Sequence, residues 1–156
     1  MSNIDRDRDE LDDLLQPTVA PLVRSGKLPW RVDLQFWVAF FGGVFAIGLI
    51  AYLNSRHLGS SVRTRRWIAA CGVGALLLYG AALWFLPDNW REARIATRVL
   101  AVVEYLVLAR LQRPDDNRHS MFAAGEYASL WPAGLYATIA ALVVHRGIEL
   151  AVQSYK

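Results

Sequence analysis

At 156 residues, with 54% hydrophobic residues and six tryptophans, the chain is too short for two soluble domains and too apolar for an ordinary one. The net charge of +3 hides an asymmetry: six acids against two arginines give the first 16 residues −4, which leaves +7 for the rest. Those basic residues stand beside long apolar stretches, where insertion rules and anionic lipid heads account for them, so no nucleic-acid partner is expected.

Residues 1–32 read as an acidic, proline-containing tail. Asp5, Asp7, Asp9, Glu10, Asp12 and Asp13 oppose the positive start that a cleavable secretory signal needs, so the first apolar stretch is expected to act as its own insertion signal. Ile4, Leu11 and Leu15 share one helical face, but Pro17, Pro21, Gly26 and Pro29 break any continuation. The tail is therefore either flexible or a docking element that folds on a partner. Trp30 is expected at the headgroup level.

Residues 33–152 then hold four apolar stretches, about 34–53, 67–86, 95–111 and 131–152. A bilayer core of ~30 Å needs roughly 20 helical residues, which the first, second and fourth supply and the third does not. The predicted fold is all-α, a polytopic bundle of four transmembrane helices in the cell inner membrane. A soluble bundle would leave a polar face on each helix, whereas Phe36 to Leu53 is apolar all the way round.

In the first span, Ala39/Gly43 and Gly42/Ala46 form small-xxx-small pairs, and Ala70/Gly74 and Cys71/Ala75 repeat the device in the second. Such residues let helix backbones approach closely in lipid. The lone Cys71 reads as inert packing. Between these spans Asn54 to Arg66 carries Arg56, Arg63, Arg65 and Arg66 with no acid, a composition that favours the cytoplasmic side. Four crossings divide the remaining basic residues almost evenly, so the charge rule alone does not orient the chain. The density of this loop favours both termini outside the cytoplasm.

Pro87, Asp88 and Asn89 predict a tight turn rimmed by Trp90, and Pro114-Asp115-Asp116-Asn117 opens a longer polar loop. Ser129 is the expected N-cap of the last helix, with Pro132 in its first turn.

Ionisable groups inside the spans are few: Arg98 and Glu104 in the third, His145, Arg146 and Glu149 in the fourth. Thr138, His145 and Glu149 fall on one face of the fourth helix. Antiparallel packing of the last two spans would set Glu104 beside Thr138, and Arg98 beside His145 or Glu149. Two readings follow, a proton or cation relay through Glu104 and His145, or polar glue that fixes helix register. The glue reading is preferred, because a relay needs more carboxylates or a water-lined path.

No catalytic motif is present, and His57, His119 and His145 lie in three separate segments, so neither an enzyme, a metal site nor a cofactor is expected. The glycine pair with its Asn-x-Arg-x-Leu-Gly exit, FFGGVFAIGLIAYLNSRHLG from Phe40 to Gly59, and the SLWPAGLYATIAALV start of the last span carry a resemblance. They are similar to an uncharacterised family of small bacterial four-span inner-membrane proteins, where proline and leucine often follow the glycine pair in place of Val44 and Phe45. The resemblance implies architecture and no activity. The expected role is a non-enzymatic interaction or assembly component that meets another membrane protein, or itself, in the bilayer. The alternatives are a small oligomeric transporter or channel and an immunity-type membrane protein.

Overall fold

The computed structural model describes residues 27–85, 90–122 and 126–154, and every regular element among them is helical. A short 3-10 turn, Val32–Leu34, leads into α1 (Gln35–His57), followed by α2 (Val62–Phe85), α3 (Trp90–Phe122) and α4 (Trp131–Ser154). Three segments, Val32–His57, Val62–Phe85 and Trp131–Val152, are long and apolar enough to cross a membrane. The acidic part of the tail and the Pro87-Asp88-Asn89 turn lie outside the described residues.

The first of these segments is not one straight helix. Gly43 interrupts α1 at φ 73°, ψ −167°, a conformation open to glycine. In a straight helix Gln35 and Asn54, nineteen residues apart, would stand about 28 Å from each other. Instead both side-chain amides donate to one acceptor, Oε1 of Gln112, at 3.3 and 2.9 Å. The Trp30 N–H reaches Asn54 Oδ1 at 2.7 Å, and its ring lies 5.0 Å from that of His57. Val32 and Ala39 share an apolar cluster with Ile47 and Ala51. So α1 is a helical hairpin: arm 35–42 runs in, Gly43 forms the tip, and arm 44–57 runs back.

This replaces the expected single crossing at 34–53. Two half-length arms and one full span have the same composition, so hydropathy cannot separate them. Trp30, at 9% exposure, is packed into the hairpin base.

The returning arm ends in a Schellman turn. Ser60 N–H bonds to Ser55 O at 2.9 Å and Gly59 N–H to Arg56 O at 3.3 Å, with Gly59 at φ 68°. Ser61 then caps α2, its Oγ accepting the Thr64 N–H at 3.1 Å. The basic loop expected over Asn54 to Arg66 is thus mostly helical. Arg56 sits in the last turn of α1, and Arg63, Arg65 and Arg66 open α2.

Along α2, Ile68, Gly72, Ala75 and Tyr79 recur at helical spacing on the inward face. A Cβ on Gly48 would come within 3.4 Å of the Gly72 Cα, so glycine at both positions lets the returning arm and α2 touch. The expected pair in this helix is different: Ala70 is exposed, and nothing lies within 4 Å of a Cβ built on Gly74. In α1, Ala39 and Ala46 are fully buried and Gly42 packs against Ala46 across the turn, so the small residues there close a hairpin rather than a seam between spans.

α3 continues through Pro114, which forgoes one backbone bond, to Phe122. The loop expected from Pro114 is therefore helix, and the Ser60 hydroxyl holds it by donating to Asp115 Oδ2 at 2.6 Å. At α4, Leu130 and not Ser129 takes the cap position, since its carbonyl accepts the first helical bond from Gly134 at 2.7 Å. The hairpin is the hub: α2, α3 and α4 all pack on it, α2 also meets both α3 and α4, but α3 and α4 do not meet each other.

Candidate functional site

Three polar places are spaced along the hairpin. At its base, Gln35, Asn54 and Gln112 are at most 1% exposed and bonded to one another, and Gln112 Nε2 also donates to the Ala51 carbonyl at 3.1 Å. Each of these buried amides has found a partner. The result ties both arms of α1 to α3. Sequence reasoning passed over all three residues, because an amide at the edge of an apolar stretch looks interfacial.

About halfway along the returning arm, Glu104 of α3 is 5% exposed, and both carboxylate oxygens are buried without a hydrogen-bond partner. It points at the glycine contact: a Cβ on Gly48 would lie 3.2 Å from Oε1, and one on Gly72 would lie 3.8 Å away. The expected pairing with Thr138 does not form. Thr138 lies on the other side of the hairpin, where its Oγ1 would be 2.9 Å from a Cβ on Gly42.

At the tip, a cleft of about 340 Å³ opens between α3 and α4. His145 lies against the tip itself, its Cε1 2.7 Å from where a Cβ on Gly43 would be. Its ring lies tilted by 41° against that of Tyr79 with centroids 4.7 Å apart, and its Nε2 is buried without a partner. Glu149 is engaged on both oxygens, by Arg146 at 3.0 Å and by the Tyr79 hydroxyl, which donates at 3.4 Å. Arg98 faces these residues from α3, its guanidinium 5.4 Å from the Phe40 ring centroid.

Arg98, His145, Arg146 and Glu149 therefore line one cavity, as the helical spacing suggested, but they do so across open space. Arg98 pairs with neither His145 nor Glu149. The i, i+3 pair Arg146/Glu149 forms in place of the i, i+4 pair His145/Glu149. Tyr79, which sequence reading did not single out, joins them from α2. Between this cleft and Glu104 lies an apolar plug of Val44, Ala75 and Ala101 with the Tyr79 ring. The groups expected to form one network are thus divided into two by the hairpin.

Beyond the base, in the polar head, burial pushes the Asp116 carboxyl above its ordinary range while the Tyr127 hydroxyl beside it pulls the other way. Arg31 lies over the Tyr127 ring at 5.7 Å, and His119 Nε2 meets the Glu126 carbonyl at 2.9 Å. His57 and His119 are thus held by different neighbours.

No family model, curated protein or solved structure matches this chain. The geometry of the hairpin is what bears on function.

Proposed function

We propose that this chain is a non-enzymatic, multi-pass protein of the cell inner membrane in which α2, α3 and α4 cross and α1 re-enters, and that it serves as an interaction component of a larger membrane assembly. The observation that carries this is the charge distribution made by the hairpin. Because both arms end on one surface, Lys27, Arg31, Arg56, Arg63, Arg65, Arg66, Arg110, Arg113 and Arg118 gather at the base end, against Arg91, Arg94, Arg98 and Arg146 toward the other end of the described residues. Nine against four supports a base that faces the cytoplasm, with the last described residues of α4 on the opposite side. The exposed arginines there form a contact surface for an acidic partner segment.

Affinity purification of the full chain in mild detergent tests this. A co-purifying membrane protein is expected, retained by the native chain and lost by Arg56→Gln/Arg63→Gln/Arg110→Gln. Recovery of bare monomer from the native chain overturns the reading.

A second reading, a small oligomeric transporter or channel, is favoured by Glu104, a carboxyl placed unpartnered at the hairpin contact. Glu104→Gln would then abolish proton or cation flux in liposomes with folding intact. A variant that lost stability without any native flux to lose would leave Glu104 as register-fixing glue.

A further inference from the structure

The hairpin stops short of the far surface. Its returning arm, 44–57, is 14 residues or about 21 Å long, while α2, α3 and α4 continue beyond the tip. Pro29 and Ala128 are hydrogen bonded at the base, at 2.9 Å, so the start of α4 marks that surface. Arg146 is then fifteen residues along α4 from Trp131, about 22 Å deep in a core of ~30 Å. At this depth a guanidinium lies within reach of the opposite leaflet's headgroups.

The walls of the cleft match such a group. Arg98 forms no ion pair among the described residues, and Arg146 is 58% exposed even while bridged to Glu149. Glu149 has both oxygens engaged, so the lining keeps one unmatched positive charge. The floor is apolar, with Phe41 and Leu142 at 66% and 61% exposure, which suits a ligand with a charged head and a hydrocarbon tail.

We propose that the cleft beneath the hairpin tip is a binding site for the headgroup of an anionic phospholipid, its phosphate held between Arg98 and Arg146 and its acyl chain lying over Phe41 and Leu142 in the gap between α3 and α4. Guanidiniums contributed from α3 and α4 to one cleft can share the tetrahedral oxygens of a phosphodiester. The site is at the opposite end of the molecule from the basic surface, so its occupancy does not depend on any protein partner there.

The test is ligand-induced thermal stabilisation of the purified full chain in detergent, with phosphatidylglycerol, diacylglycerol of the same acyl chains, and inorganic phosphate as separate probes. Phosphatidylglycerol alone is expected to stabilise, and Arg98→Gln/Arg146→Gln should weaken its apparent affinity about 10- to 100-fold, the range for lost hydrogen bonds to charge. Arg56→Gln/Arg63→Gln should retain the stabilisation. Should the cleft variant fail to fold, the guanidinium ¹⁵N signals of Arg98 and Arg146 in the native chain give the answer, shifting with phosphatidylglycerol and not with diacylglycerol. Equal stabilisation by diacylglycerol or by inorganic phosphate, an unchanged affinity in the folded cleft variant, or silent guanidinium signals overturn the proposal.

Discussion

The two ends of the hairpin handle polarity in opposite ways. At the base, Gln35, Asn54 and Gln112 are sealed from solvent and bonded to each other, to the Trp30 N–H and to the Ala51 carbonyl. At the tip, His145 Nε2 is buried without a partner, while Arg98, exposed beside the cleft, forms no ion pair among the described residues and lies over the Phe40 ring. A saturated buried network fixes geometry, whereas unsatisfied donors beside a cavity leave room for something else. The hairpin is clamped at its base and borders an open cleft at its tip.

The sharpest way to break this comparison is topological and all-or-none. In a Cys71→Ala background, Lys27→Cys and Arg63→Cys should react with a membrane-impermeant maleimide from the same side, and Ser154→Cys from the other. Labelling of residues 27 and 63 from opposite sides would mean that α1 crosses, and both ends of the comparison would dissolve.

The tip comes next in magnitude. Gly43→Ala meets a positive φ and the His145 ring together, and should cost about 2–5 kcal/mol from left-handed backbone strain plus overpacking. Equilibrium unfolding in detergent would show it, and a loss under 1 kcal/mol would mean that the tip is not held at this conformation. At the base, Gln112→Leu strands the Gln35 and Asn54 amides and should cost about 2–4 kcal/mol. Hydrogen exchange should rise at the Trp30 amide, and a neutral result would show that the clamp is not tied through this residue.

The smallest effect belongs to the polar head. A raised Asp116 carboxyl means the folded chain holds that proton more tightly than the unfolded chain. Stability from this group is therefore greatest below the ordinary aspartate range and falls as pH rises through the folded value. Asp116→Asn should flatten that fall and change stability at neutral pH by no more than about 0.5 kcal/mol, in the favourable direction. A stability profile against pH that is the same in both proteins would rule the effect out.

The sequence by itself determined that the chain is helical and apolar, where α2 and α4 run, and which few charges stand among apolar residues, because length, hydropathy and helical spacing are local properties. It also placed His145, Arg146 and Glu149 near one another on α4. What only the tertiary structure decided is where those faces point. A glycine pair is equally at home in a packing seam and in a reversal, and nothing in Phe40 to Ala46 distinguishes the two until Gln112, far along the chain, draws Gln35 and Asn54 together. That one long-range clamp turns an expected straight span into a helical hairpin, moves Glu104 away from Thr138, gathers the arginines at one end and opens the cleft beneath Gly43.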